Sequence, residues 1–179
     1  PNAPSIAHAP SLEESLELKR QPLVEAPGGN RPPVSVVILT YNEQVNIKDC
    51  IRSCAWCDDV HVLDSGSTDK TVEFATALGA KVHHNKFKSF GDQRNWAIDN
   101  IACKHPWHFH LDADERFTPE VVKELYDVVG ADGNKTAKVA FLCPSKMMLL
   151  GRWLKHSAGY PSYQVRLFRF GKCRFMDFG

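Results

Sequence analysis

Val34-Ser35-Val36-Val37-Ile38-Leu39-Thr40-Tyr41-Asn42-Glu43 is a short β-prone, mostly apolar run that ends in a polar cluster. A second run, Val60-His61-Val62-Leu63, ends the same way, in Asp64-Ser65-Gly66-Ser67-Thr68-Asp69. Near-continuous apolar runs of this length suit strands covered on both faces, and the stretch between them has the spacing of a helix, over 44–55. Together they read as one βαβ unit.

The alternation continues outward from that unit. Helical spacing over 70–78 and 90–101 alternates with strand-like runs at 81–84 and 108–111. Thr118-Pro119-Glu120 opens a further helix to about 129, with proline in its first turn, where a missing N–H costs nothing. Strands follow at 139–143 and 164–170. Strands separated by helices predict an α/β fold with a Rossmann-like, mostly parallel central sheet flanked by helices.

Composition narrows the function classes. The chain has 179 residues, enough for one domain with a substantial core, and its 22 basic and 21 acidic residues nearly cancel. No charge excess is left to hold a polyanion, so nucleic acid is not an expected partner. No run approaches the ~20 apolar residues of a membrane span, and the first ten residues lack a signal-peptide pattern. The chain reads as cytoplasmic, with peripheral contact at the inner membrane an open alternative. Six cysteines, unevenly spread, read as reduced thiols. Residues 1–32 are rich in Pro, Ala and Ser and read as a poorly ordered extension, with a capping box at Ser11-Leu12-Glu13-Glu14.

In open parallel sheets, ligands bind beyond the carboxyl ends of the strands, where loops and helix N-termini present unpaired N–H groups. Three such ends carry polar clusters: Thr40-Tyr41-Asn42-Glu43, the Asp64 loop, and Asp112-Ala113-Asp114-Glu115. None is a Gly-x-Gly-x-x-Gly turn or a Gly-Lys-Ser/Thr phosphate loop. Asp112 and Asp114, one residue apart at a strand end, have the chemistry to grip a hard divalent cation that neutralises a diphosphate.

These motifs, with Gln93-Arg94-Asn95-Trp96-Ala97 and Gly159-Tyr160-Pro161-Ser162-Tyr163-Gln164-Val165-Arg166-Leu167-Phe168-Arg169, resemble glycosyltransferase family 2 in order and spacing. Within it they are similar to the branch of bacterial lipopolysaccharide core β-1,4-glucosyltransferases, enzymes of cell-envelope synthesis. The resemblance runs from about Pro33 to the end of the chain and implies a GT-A fold over 33–179. It also implies an inverting hexosyltransferase that moves a sugar, glucose first, from a UDP-sugar to a saccharide or lipid-linked saccharide acceptor. Thr40, Tyr41, Asn42 and Glu43 then line the nucleoside, with Asp64 at the base and Ser65 and Gly66 beside it. Arg94 contacts the nucleotide. Asp112, Ala113 and Asp114 meet the ribose and diphosphate, and Asp112 and Asp114 hold Mn2+ or Mg2+. The resemblance places the catalytic base beyond the last strand, so the domain reads as truncated on its acceptor side, and Asp177 is the candidate base within it.

Two other readings stand beside this one. One is a module that binds a nucleotide-sugar without turning it over. The other is an iron–sulfur radical enzyme, because Cys50-x-x-x-Cys54-x-x-Cys57 matches a cluster-binding spacing. The helical recurrence of Ile47, Cys50, Ile51 and Cys54 also fits thiols that fill a buried face. His108 and His110 point to one side of their strand, as packing groups or as zinc ligands.

Overall fold

The computed structural model describes residues 24–149, 152–154 and 161–176. Its strands are β1 (Val34–Thr40), β2 (Val60–Asp64), β3 (Lys81–His84), β4 (Trp107–Asp112), β5 (Ala140–Pro144), β6 (Met148–Leu149), β7 (Arg152–Trp153) and β8 (Tyr163–Arg169). Its helices are α1 (Ile47–Ser53), α2 (Thr71–Ala77), α3 (Phe90–Asn100) and α4 (Pro119–Val129). Six strands form one sheet in the order β3-β2-β1-β4-β8-β5, while β6 and β7 make a separate small hairpin. This is the Rossmann-like, mostly parallel arrangement implied by the GT-A resemblance.

The sheet is mixed rather than wholly parallel. β3, β2, β1 and β4 run in one direction, and β8 inserts antiparallel between β4 and β5. Among the described residues between β5 and β8 there is no helix, only the antiparallel β6–β7 pair, and antiparallel pairing needs no crossover.

Side-chain alternation along β1 divides the core between two faces. Val34, Val36 and Ile38 pack with Ile47, Cys50 and Ile51 of α1, Ala75 of α2, and Val122, Leu125 and Val129 of α4. Val37 points the other way and packs with Leu63, Ala97 and Ile101 beneath α3. Val24 and Ala26, just before the sheet, join the first of these cores.

Helix starts follow local chemistry. Ser89 caps α3, its Oγ accepting from Asp92 N at 3.0 Å, and Thr118 caps α4 ahead of Pro119. α1 begins at Ile47 rather than near Gln44, because the neighbouring loop captures the preceding N–H groups. Glu43 N donates to Thr71 Oγ1 at 2.8 Å and Gln44 N to Asp69 Oδ2 at 3.1 Å. Register then aligns the functional ends: Thr40 lies beside Asp64, Asp64 beside His84, and Leu39 beside Asp112.

Candidate functional site

The loops after β1 and β2 are laced together. Asn42, with φ of 54° in the left-handed region, donates its N–H to Ser67 Oγ and accepts from Thr68 N, both at 2.8 Å. Asparagine is among the few residues that tolerate this conformation. Tyr41 and Asn42 are exposed and Glu43 half-buried, its Oε2 accepting from Asn46 at 2.8 Å. Thr40 is buried, and its Oγ1 has no hydrogen-bond partner.

Asp64 shapes its own turn. Its Oδ2 accepts from Gly66 N at 2.9 Å and Ser67 N at 3.0 Å, its Oδ1 accepts from Ser67 Oγ at 2.5 Å, and His84 Nδ1 stands 3.4 Å away. The carboxylate is 1% exposed, and Gly66 turns the chain at φ of 100°. In this arrangement Asp64 organises the loop expected to meet the nucleoside. Ser65 is fixed from α3, its Oγ accepting from Gln93 Nε2 at 3.0 Å.

Asp112 sits between two arginines. Arg94 Nη2, from α3, donates to Oδ1 at 2.9 Å, and Arg166 Nη2, from β8, donates to Oδ2 at 2.7 Å. The same Arg166 nitrogen reaches Glu115 Oε1 at 2.7 Å, which also accepts from Ser145 Oγ at 2.6 Å, while Glu115 Oε2 accepts from Asp112 N at 3.1 Å. Burial lowers the Arg94 pKa, with Asp112 opposing it. For Arg166 the hydrogen bond and charge of Asp112 outweigh burial, and its pKa is raised. Two cations and two carboxylates thus neutralise one another at the end of β4, as groups withdrawn from water must.

Asp114 differs from Asp112. It is exposed, and none of these hydrogen bonds engages its carboxylate. Ala113 is buried, its N–H donating to Leu39 O at 3.1 Å and its carbonyl accepting from Arg116 at 2.9 Å. The loop backbone is therefore pinned on both sides while Asp114 projects outward. Carboxylate oxygen is the donor that Mg2+ and Mn2+ prefer. Asp114 fits such an ion as it stands, whereas both Asp112 oxygens are engaged by guanidinium groups.

Thr40, Asp64, Arg94, Asp112 and Asp114 thus gather at the carboxyl end of the parallel strands, with Tyr41, Asn42, Glu43, Ser65 and Gly66 in the adjoining loops. Asp177 lies outside the described residues. The role of Arg166 has no local signal in sequence beyond its place in the stretch that follows Gly159.

Of the two cysteine readings, the structure supports reduced thiols that fill a buried face rather than ligands of an iron–sulfur cluster. Among the described residues, the group of His, Cys, Asp or Glu side chains whose donor atoms converge within 4.8 Å is Asp59, His61 and Cys103, and it does not include Cys50, Cys54 and Cys57. Cys50 and Cys54 are buried in α1 and its end, and burial pushes the Cys50 and Cys57 thiols up to about 12. Protonated thiols in an apolar core are packing groups. His108 and His110 are likewise buried, against Phe168, Phe170 and Phe175.

A family model described as glycosyl transferase family 2 matches residues 35–178. An uncharacterized glycosyltransferase of Rickettsia bellii is 36% identical over 109 residues, covering 60% of this chain and 36% of that protein. The lipopolysaccharide core biosynthesis glycosyltransferase LpsC of Rhizobium meliloti is 28% identical over 110 residues, covering 55% of this chain and 40% of that one. The chain therefore spans well under half the length of these two curated relatives. Among solved structures, glucosyl-3-phosphoglycerate synthase of Mycobacterium tuberculosis in complex with UDP is similar at a TM-score of 0.41 and 25% identity, over 61% of this chain and 40% of that one.

Proposed function

The chain belongs to glycosyl transferase family 2, and from that premise we propose that it forms the donor-binding part of a metal-dependent, inverting hexosyltransferase. The donor is a UDP-sugar, glucose first, and the acceptor a saccharide or lipid-linked saccharide. The observation that carries this reading is the contrast within Asp112-Ala113-Asp114: the first carboxylate is clamped by Arg94 and Arg166, the second is exposed beside it.

Asp114 would hold Mn2+ or Mg2+, with Asp112 beside it. A bound ion of this kind supplies positive charge to the diphosphate leaving group. The chain's own residues do the remaining work. Arg94 and Arg166 hold the loop in register by balancing the charge of Asp112 and Glu115. The interlaced Thr40–Glu43 and Asp64–Asp69 loops offer a preformed rim for a nucleoside, with polar backbone and side-chain groups already ordered. Preformed loops spare the donor an ordering cost on binding. Among the described residues, no helix is long and apolar enough to cross a membrane.

Calorimetric titration with UDP, with and without Mn2+, tests the reading. Mn2+ should tighten UDP binding by at least about tenfold, or ~1.4 kcal/mol, and Asp114→Ala should remove that gain. Equal affinity with and without Mn2+ in the unmodified chain would overturn it.

A further inference from the structure

At the opposite end of the parallel strands from the Asp112 loop, three ligand-type side chains meet. Asp59 precedes β2, His61 lies within it, and Cys103 lies in the turn between α3 and β4. One donor atom from each lies within 4.8 Å of the other two. Asp59 and His61 are each 1% exposed, and Cys103 is half-buried, which leaves an approach from solvent.

The contacts of His61 are unusual for a buried imidazole. Its Nδ1 lies 3.0 Å from His83 Nε2, so a proton on Nδ1 leaves the His61 Nε2 lone pair free. That Nε2 is fully buried and has no hydrogen-bond partner, although Asp59 Oδ1 is only 3.1 Å away. In that tautomer the Nε2 lone pair and the Asp59 carboxylate converge on one point; in the other, Nε2–H faces the carboxylate and a bound cation takes the place of that proton. Ligands on a tetrahedral zinc ion stand about 3.3–3.6 Å apart, given bonds of about 2.0–2.3 Å. The Asp59–His61 separation is close to such an edge, and Cys103, with its sulfur within 4.8 Å of a donor atom of each, closes by at most roughly 1.5 Å to complete the face. A partner on the far ring nitrogen is the usual way a metal-bound histidine is oriented, and His83 is placed for it.

We propose that Asp59, His61 and Cys103 form a binding site for a borderline divalent cation, zinc first, with water in the fourth position. The mixed thiolate, imidazole and carboxylate set favours zinc over the hard ions suited to Asp114. Binding releases the Cys103 thiol proton to solvent, and the thiolate then forms the bond to the metal. Lys81 Nζ, now 2.6 Å from Asp59 Oδ1, gives up that contact for water, which its 60% exposure allows. Asp59 Oδ2 keeps its bonds from Ser35 Oγ at 2.6 Å and Lys104 N at 2.7 Å, so the carboxylate stays oriented. The metal would tie β2 to the turn before β4 and act as a staple under the sheet.

Tag-free chain, stripped of metal and titrated with Zn2+ and with Co2+, tests the proposal, with circular dichroism reporting that each variant is folded. One ion per chain is expected, a higher melting temperature with zinc, and a thiolate-to-cobalt charge-transfer band. Cys103→Ser should abolish that band and His61→Ala should weaken binding at least tenfold. Lys81→Met, which removes the competing ammonium, should tighten binding. Cys57→Ser and Asp114→Ala should keep the ion, separating this site from the neighbouring core thiol and from the donor site. Absence of stoichiometric zinc, or a cobalt band unchanged in Cys103→Ser, overturns the proposal.

Discussion

Arg166 and Asp112 are 54 residues apart in sequence, yet one guanidinium nitrogen of Arg166 lies 2.7 Å from Asp112 Oδ2 and also reaches Glu115. The side chain of Arg166 is 4% exposed and that of Asp112 34%. The loop after β4 is therefore held by a strand that runs against it.

Replacing Arg166 with Met keeps the buried volume but leaves two carboxylates without their shared cation. The expected cost is about 2–4 kcal/mol, below the full penalty for breaking a buried pair because Asp112 is partly solvated. Arg166→Lys, with charge but no fork, should lose less. Urea unfolding of the three chains gives the order, and equal midpoints would contradict it.

Asp64→Ala removes the acceptor for two backbone N–H groups and one hydroxyl. Stability should fall by about 2–4 kcal/mol, since hydrogen bonds to a charged acceptor are the stronger kind. Asp64→Asn retains one acceptor oxygen and should cost about half as much. UDP affinity, measured where both variants remain folded, should fall in Asp64→Ala as the rim loosens.

Acid should destabilise the fold through its buried imidazoles. Burial lowers the His108 pKa from 6.5 to about 4 and holds His110 well below its usual value. The unfolded chain therefore takes up these protons first as pH falls. Their contribution is fully present above about pH 6.5 and is lost progressively as pH drops towards 4, by about 3 kcal/mol for His108. His108→Phe, set among Phe168 and Phe170, should flatten the slope of unfolding free energy against pH in that window. A slope identical to that of the unmodified chain would refute this account.

Gly133 holds φ of +75°, and a Cβ there would meet Pro106 Cγ at 3.0 Å and Trp107 Cδ1 at 3.3 Å. Its carbonyl accepts from Trp107 Nε1 at 2.8 Å and Arg169 Nη2 at 2.9 Å. Gly133→Ala combines a left-handed backbone penalty with crowding at this junction, for about 2 kcal/mol or roughly 4–8 °C in Tm. Differential scanning calorimetry reads the shift directly, and an unchanged Tm would show that the turn relaxes.

The parts of this fold that are local in sequence were legible there. Val34–Thr40 announces itself because both of its faces are covered, and Ser89 and Thr118 cap their helices through neighbours three residues away. The direction of β8 was not legible, since alternation along Tyr163–Arg169 is the same read either way. The β6–β7 hairpin was also missed, being two residues on each side. At the site, the positions Asp64, Arg94, Asp112 and Asp114 came from motif order. Their contacts depend on side chains from distant elements: Asp112 is engaged by guanidinium groups because β8 arrives beside β4. The expected helix at Ser11 falls outside the described residues, as does Asp177.

The antiparallel placement of β8 also sets a schedule for assembly. A nascent chain can pair β1, β2 and β3 from near-neighbour segments, but the closing contact to Asp112 spans 54 residues and waits until Arg166 has been synthesised. The charge balance at Asp112 is therefore incomplete until β8 has been made, and a chain lacking β8 would carry Asp112 and Glu115 without that countercharge.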